Sequence, residues 1–208
     1  MTDDPLLRLR QIMVRLRRDC PWDREQTHES LLNHLLEEAC EVVDAVETGT
    51  DDDLREELGD VLLQVVFHAR IAEEEGRFTL DDVARGIGDK LVHRHPHVFG
   101  DADSPDDVLA NWEQRKAREK GRTSALDGIA RSMSALARAH KVVSRTRSHG
   151  VPVALSDEPV TEQEVGEGIL ALVARAQASG IDADQATRVA LRALERRITD
   201  AEAAGRDA

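Results

Sequence analysis

The chain has 208 residues, enough for one domain or slightly more. Only 2% of them are aromatic, whereas 40% are hydrophobic, so the core must consist of aliphatic side chains, which favours helical packing over a β-sandwich. The net charge of −13 argues against a nucleic-acid surface, because phosphate backbones require a basic partner. No apolar run approaches the roughly 18 residues of a membrane span, so we expect no membrane partner.

The compartment is predicted from the N-terminus and the cysteines. The opening residues, MTDDPLLRLR, place acids ahead of any basic region and contain no long apolar stretch, which argues against a secretory signal. Cys20 and Cys40 have no CxxC spacing and predict free thiols rather than a disulfide or a zinc site. We therefore expect a cytoplasmic protein.

Helical periodicity and stop signals predict an all-α protein. In chain order, helices are expected over 5–18, from 27 or 30 to 47, over 51–75 and over 79–95, with breaks at CPWDREQ, TGT, Gly76 and Pro96. The sequence Ser104-Pro105-Asp106-Asp107 predicts the start of a helix that continues to 120. A helix over 129–147, a linker, and two helices divided at Gly180 complete the chain.

Carboxylates share one face of the second predicted helix. At about 100° per residue, Glu37, Glu38, Glu41 and Asp44 fall on one side, and leucines and valines occupy the other. An acidic face opposite an apolar face is also typical of an ordinary surface helix, so this pattern alone does not identify a site.

The third predicted helix is apolar on almost every side and is expected to be buried. One polar stripe runs through it, formed by Glu57, Asp60, Gln64 and His68. Buried carboxylates are costly unless they are paired or bind a metal. The pairs Glu38/Glu41 and Glu57/Asp60, on two helices joined by a short turn, would bring four oxygen ligands together, which favours Mg²⁺ or Mn²⁺ over zinc. The alternative is a polar seam between associating helices.

Basic residues recur at helical spacing farther along the chain. Lys90 and Arg94 lie one turn apart in DKLVHRHPHVF, and Trp112 and Lys116 repeat that spacing in NWEQRK. Such pairs can hold phosphate oxygens and an indole can stack on a nucleobase, although each pair is also typical of a solvated surface. We interpret His93, His95 and His97 as loop and packing residues, because Pro96 interrupts the helix between them.

Together these residues resemble the MazG family of nucleoside triphosphate pyrophosphohydrolases. The EExxE and ExxD motifs of that family correspond to Glu37-Glu38-Ala39-Cys40-Glu41 and Glu57-Leu58-Gly59-Asp60. The preceding WDxxQTH segment and the following RHPHVF segment stand at the intervals typical of the family. The resemblance covers about residues 5–148.

The resemblance implies a helical bundle of the all-α NTP pyrophosphatase type, usually a homodimer, that hydrolyses an NTP or dNTP to the monophosphate and pyrophosphate. The cofactor implied is Mg²⁺, with Mn²⁺ as a substitute, held by Glu38, Glu41, Glu57 and Asp60. Nucleotide binding is implied for Glu37, Lys90, Arg94, Trp112 and Lys116, and either Glu37 or Glu38 would activate the attacking water. The resemblance also suggests nucleotide-pool house-cleaning, whereas base and sugar preference stay open.

The C-terminal part contains a weaker copy of the carboxylate helix. At an offset of 107 residues, EELGDVLLQVVFHAR aligns with QEVGEGILALVARAQ and places Glu164 and Glu167 opposite Glu57 and Asp60. The segment before this copy is too short for a second EExxE helix. We expect a MazG-like domain at 1–148, a linker at 149–159 and a degenerate, catalytically silent repeat at 160–208.

Two other classes of protein are alternatives to this enzyme. A di-iron carboxylate bundle requires two ExxH pairs, and only Glu25-Gln26-Thr27-His28 is present at the start of the carboxylate helix. A non-catalytic helical regulatory or interaction module would use the acidic stripe only to set helix pairing. Thermal stabilisation by Mg²⁺ and an NTP would distinguish this module from a nucleotide-binding enzyme.

Overall fold

A computed structural model describes residues 4–100, 121 and 123–206 of the chain. Every regular element within these ranges is a helix, as expected for an all-α protein. They are α1 (Pro5–Asp19), α2 (Pro21–Glu25), α3 (Leu32–Thr48), α4 (Asp51–Glu74), α5 (Leu80–Arg94), α6 (Pro96–Phe99), α7 (Ala135–Ser148), α8 (Glu162–Ala178) and α9 (Ala183–Arg206). The helix predicted over 104–120, with Trp112 and Lys116, lies outside the described residues.

The observed helix limits follow the sequence signals closely, with three differences. The CPWDREQ segment contains the short helix α2 rather than only a break, and Pro96 begins α6 as well as ending α5. The helix predicted from residue 129 starts at Ala135, because the Ser134 side chain accepts a hydrogen bond from the Ala137 backbone N–H and so caps the helix there. The three histidines interpreted as loop residues lie at the end of α5, at its C-cap and in α6.

The helices α3 and α4 form a hairpin joined by Gly49 and Thr50. A Cβ atom at Gly49 would lie 2.8 Å from the Ala45 backbone, so the close approach of the chain at this point requires glycine. Thr50 and Asp53 form a capping box, in which Asp53 Oδ2 accepts from the Thr50 N–H at 2.7 Å and the Asp53 N–H donates to Thr50 Oγ1 at 3.3 Å. This short connection makes the two helices antiparallel neighbours.

Residues 1–100 form one compact unit. Its core contains Met13, Leu31, Val66, Phe67 and Ile71. Arg17 joins α1 to the rest of this unit, because its guanidinium donates to the carbonyls of Asp23, Arg24 and Gln26 and pairs with Glu74 at 2.6 Å.

Burial of α4 differs from the sequence expectation. The fully buried residues of α4 lie between Gln64 and Ala72, in its second half. In its first half, Leu58 and Leu62 are 51% and 37% exposed, and Val65, shortly after the middle of the helix, is 39% exposed. The expectation of a helix buried on nearly every side is therefore wrong for the single chain and holds only for the second half of α4.

Residues 101–208 form a second compact unit. Its described core joins α7 and α9 through Val142, Leu191 and Ile198, with Ile129 from the preceding turn. In contrast, α8 has no buried residue. The two units are defined by contacts between residues, which do not test the limits expected for the MazG-like domain, the linker and the degenerate repeat. Those limits remain predictions.

None of the helices within the described ranges combines the length and apolarity needed to cross a membrane.

Candidate functional site

The α3–α4 hairpin brings together acidic side chains from both of its arms. Glu41 precedes the turn by nearly as many residues as Glu57 follows it, so antiparallel pairing places them opposite each other. One carboxylate oxygen from each of Glu38, Glu41 and Glu57 lies within 4.8 Å of the others. Glu38 and Glu57 are half-buried and Glu41 is exposed. We call these three side chains the acidic group.

Like charges dominate the electrostatics of the acidic group. Partial burial raises the pKa of Glu38, and the hydrogen bond with Glu41 and the charges of Asp60, Glu41 and Glu57 raise it further. Desolvation also raises the pKa of Glu57, with the charges of Glu41 and Asp60 acting in the same direction. A hydrogen bond between two carboxyl groups needs a proton on one of them. The acidic group is thus strained by repulsion and would be stabilised by a cation.

The donor set fits a hard divalent cation. All three members supply carboxylate oxygens, and Asp60 adds a fourth negative charge that acts on Glu38 and Glu57. Carboxylate oxygens are the donors that Mg²⁺ and Mn²⁺ prefer, whereas zinc sites usually include nitrogen or sulfur. The structure thus brings together three of the four predicted metal ligands within 4.8 Å, and the fourth acts on them through its charge.

The other predicted site residues are not members of the acidic group. Glu37 is exposed, and its carboxylate lies 3.9 Å from His34 Nδ1. On α5, Lys90 is exposed and Arg94 is half-buried. Trp112 and Lys116 lie outside the described residues.

The polar stripe of α4 continues beyond Asp60 into a histidine contact that the sequence did not predict. His68 Nδ1 lies 2.7 Å from His28 Nδ1, with the two rings stacked at 5.0 Å between centroids, and Arg77 contacts His28 Nε2. Desolvation by burial lowers the pKa of His68, and the neighbouring His28 adds to this effect. Both histidines stand at recognisable positions in the sequence, because His28 ends the WDxxQTH segment and His68 ends the polar stripe. Nothing in the sequence indicated that the two side chains would contact each other.

Trp22, from the same WDxxQTH segment, is a second feature that sequence reasoning missed. Its ring packs edge-on against His34 at 6.2 Å and Phe67 at 6.5 Å between centroids. The indole is 54% exposed beside the start of α3. An accessible aromatic face therefore lies on the same unit as the acidic group.

In the candidate repeat of the second unit, Glu164 has a different role from Glu57, the residue with which it aligns. Glu164 is the third residue of α8, and its carboxylate accepts from the Thr161 N–H at 2.8 Å as part of a capping box. This bonding lowers the pKa of Glu164, opposite to the shift at Glu57. In α4 the capping role belongs to Asp53, so the two helices start in different registers relative to the aligned acids. The degenerate repeat stays a prediction.

Comparison with known proteins identifies the family to which this chain belongs. The sequence profile described as "MazG nucleotide pyrophosphohydrolase domain" matches residues 26–99. A protein of Escherichia coli K12 named nucleoside triphosphate pyrophosphohydrolase is 42% identical over 226 aligned positions, which cover 94% of this chain and 86% of that protein. The chain belongs to the MazG family.

Further relatives are similar to this MazG chain. An uncharacterised 26.1 kDa protein of Streptomyces cacaoi is 46% identical, with 95% of this chain and 82% of that protein covered. A nucleoside triphosphate pyrophosphohydrolase of Mycobacterium tuberculosis is 47% identical over 76% of this chain and 50% of its own length. A crystal structure of a mazG-related protein from Thermotoga maritima matches 53% of this chain and 97% of its own, at 32% identity and a TM-score of 0.47. The profile match over 26–99 includes the acidic group, Asp60, Lys90 and Arg94.

Proposed function

We propose that this MazG chain hydrolyses nucleoside triphosphates, NTP or dNTP, to the monophosphate and pyrophosphate with Mg²⁺. The observation that carries the proposal is the convergence of Glu38, Glu41 and Glu57 from both arms of the hairpin. It lies inside the region that matches the MazG nucleotide pyrophosphohydrolase domain. Relatives named nucleoside triphosphate pyrophosphohydrolase at 42% and 47% identity support the same reaction.

The acidic group and Asp60 would hold the ion. A bound Mg²⁺ or Mn²⁺ supplies positive charge that neutralises phosphate oxygens. Glu37 or Glu38 would accept the proton of the attacking water as its oxygen bonds to phosphorus and pyrophosphate departs.

The remaining contacts to the nucleotide are assigned to basic and aromatic side chains. Lys90 and Arg94 would hold phosphate oxygens, since α5 packs against α4. Trp112 and Lys116 would close the nucleotide pocket, with the indole stacking on the base. An enzyme with this activity would remove unwanted nucleoside triphosphates from the nucleotide pool of the cell.

We also propose that the chain works as a cytoplasmic homodimer. An apolar stripe is exposed on the α3–α4 hairpin, formed by Leu32, Leu36, Val43 and Val46 on α3 and by Leu58, Leu62 and Val65 on α4. Exposed apolar residues that share a helix face in this way are usually covered by a partner, and a second copy is the simplest one. Cys20 and Cys40 are free thiols, which supports a reducing compartment.

The test of the proposed reaction is pyrophosphate release from the eight common nucleoside triphosphates, with Mg²⁺ and with EDTA. The Glu41→Gln substitution should lower turnover by about 100-fold or more, because it removes a ligand charge at constant volume. Glu47→Gln is the matched control, since Glu47 is an exposed acid at the end of the same helix and is not a member of the acidic group.

The outcomes separate the proposed enzyme from a non-catalytic module. No pyrophosphate from any nucleotide, or full turnover by Glu41→Gln, would refute the proposal. Stabilisation by Mg²⁺ and an NTP without turnover would instead identify a regulatory module whose acidic group binds ligand without catalysis.

A further inference from the structure

The second unit contains a cavity of about 610 Å³ between the turn that precedes α7 and the helices α7 and α9. Four arginines line it, namely Arg131, Arg138, Arg188 and Arg192. Such a concentration of guanidinium groups contrasts with the overall charge of −13. The cavity shares no residue with the acidic group.

Two of these arginines are occupied by structural contacts. Arg138 pairs with Glu195 at 2.5 Å and donates to the Ile129 and Ala130 carbonyls at 3.3 and 2.9 Å. Arg188 pairs with Asp184 one turn earlier on α9. These contacts fix the cavity wall and neutralise two of the four positive charges.

The other two arginines lack the structural ion pairs of Arg138 and Arg188 within the described residues. Across the described ranges, neither Arg131 nor Arg192 has an ion pair, and both side chains are exposed. Both acids in the cavity wall are engaged elsewhere: Glu195 binds Arg138, and Asp127 Oδ2 accepts from the backbone N–H groups of Thr123 and Ser124 at 2.8 and 3.0 Å. The cavity wall therefore presents two exposed guanidinium groups beside the carboxylate of Asp127, whose backbone N–H donors do not change its charge.

The rest of the cavity lining is apolar. Leu126, Ile129, Met133 and Leu191 contribute, and Ile129 and Leu191 belong to the core of this unit. An apolar surface beside guanidinium groups suits a ligand with an apolar part and an anionic part. The cavity volume falls within the range of about 300–1,000 Å³ typical of small-molecule sites.

We propose that this cavity is a binding site for a small phosphorylated ligand, with the phosphate held by Arg131 and Arg192. Guanidinium groups bind phosphate oxygens through paired, charge-assisted hydrogen bonds, and a phosphate has enough oxygens to accept from both arginines at once. The apolar surface favours a nucleoside phosphate, and inorganic phosphate and pyrophosphate share the same anionic chemistry.

The experiment measures binding to the full chain by calorimetry in EDTA. Without a divalent ion the acidic group repels anions, which weakens phosphate binding beside it, and the variants then locate the binding that remains. The probes are adenosine monophosphate, inorganic phosphate and pyrophosphate. The double variant Arg131→Gln/Arg192→Gln should weaken binding by about tenfold or more, since it removes both exposed guanidinium groups.

The matched control is Arg175→Gln, because Arg175 is an exposed arginine on α8 that does not line this cavity. It should bind each probe as the unmodified chain does. Tighter binding of adenosine monophosphate than of phosphate would identify a nucleoside phosphate as the ligand class, and the opposite order would identify an inorganic phosphate site.

No binding of any probe at millimolar concentration in EDTA, or binding unchanged in the double variant, would overturn the proposal. This result is independent of the proposed reaction, which is measured by pyrophosphate release with Mg²⁺. Failure of that assay leaves binding in EDTA unaffected, and failure of binding in EDTA leaves turnover at the acidic group unaffected.

Discussion

The substitution Glu38→Gln should change stability and activity in opposite directions. Glu38 is half-buried, and its carboxylate lies within 4.8 Å of those of Glu41 on the same helix and Glu57 across the hairpin. Glutamine keeps the volume of the side chain and removes its charge. If the acidic group exists to bind a cation, the metal-free chain should become more stable and the enzyme should become inactive.

The expected gain in stability follows from the repulsion. Two unit charges about 4–5 Å apart interact by about 1 kcal/mol in a water-like medium, and the partial exposure of Glu38 and its hydrogen bond with Glu41 keep the total near that value. Because the pKa of Glu38 is raised in the folded state, its ionisation at neutral pH disfavours folding. Removing the charge should therefore add about 1 kcal/mol to the free energy of unfolding, or about 4–8 °C in Tm for a unit of this size.

Thermal unfolding in EDTA and in Mg²⁺, together with pyrophosphate release, measures these effects. Mg²⁺ should raise the Tm of the unmodified chain and have a much smaller effect on Glu38→Gln, whose turnover should fall by about 100-fold or more. Glu47→Gln should match the unmodified chain in all three measurements. A Glu38→Gln protein that is less stable in EDTA, or that keeps the Mg²⁺ shift and normal turnover, would show that this carboxylate has a structural role instead.

Three further predictions concern stability and assembly. Arg17→Met should lower the free energy of unfolding by about 3 kcal/mol in urea titrations, because the side chain is 9% exposed and its loss removes a donor shared by three backbone carbonyls and leaves Glu74 paired only with Arg70; a loss below about 1 kcal/mol would contradict this. The hydrogen bond from Arg17 is the main cause of the lowered pKa of Glu74, so the stabilisation by the ionised Glu74 carboxylate is present above pH 4.5 and is lost as the pH falls through the lowered pKa. The urea midpoint should therefore drop more steeply with acid in the unmodified chain than in Arg17→Met. Parallel pH profiles of the two proteins would refute the assignment. Leu62→Asp should convert the dimer to a monomer in light scattering, since it places a charge in the exposed apolar stripe, whereas a monomeric unmodified chain would refute the dimer itself.

Much of the local structure and of the acidic site could be predicted from the sequence alone. Thr50 with Asp53 and Thr79 with Asp82 begin α4 and α5 through capping boxes. Capping and helical periodicity depend on residues within four positions of one another, so the sequence reports them directly. The carboxylate pairs on α3 and α4 were predicted for the same reason, because i, i+3 spacing fixes a shared helix face.

The tertiary structure decided the contacts between residues far apart in the chain. The pairing of His28 with His68, the burial of Arg17 against three carbonyls and the exposed first half of α4 depend on how whole helices pack, which local patterns do not report. The arginine cavity is of the same kind. Arg131 and Arg192 look like isolated surface charges in sequence, and only the packing of α9 beside the turn before α7 brings them to one cavity.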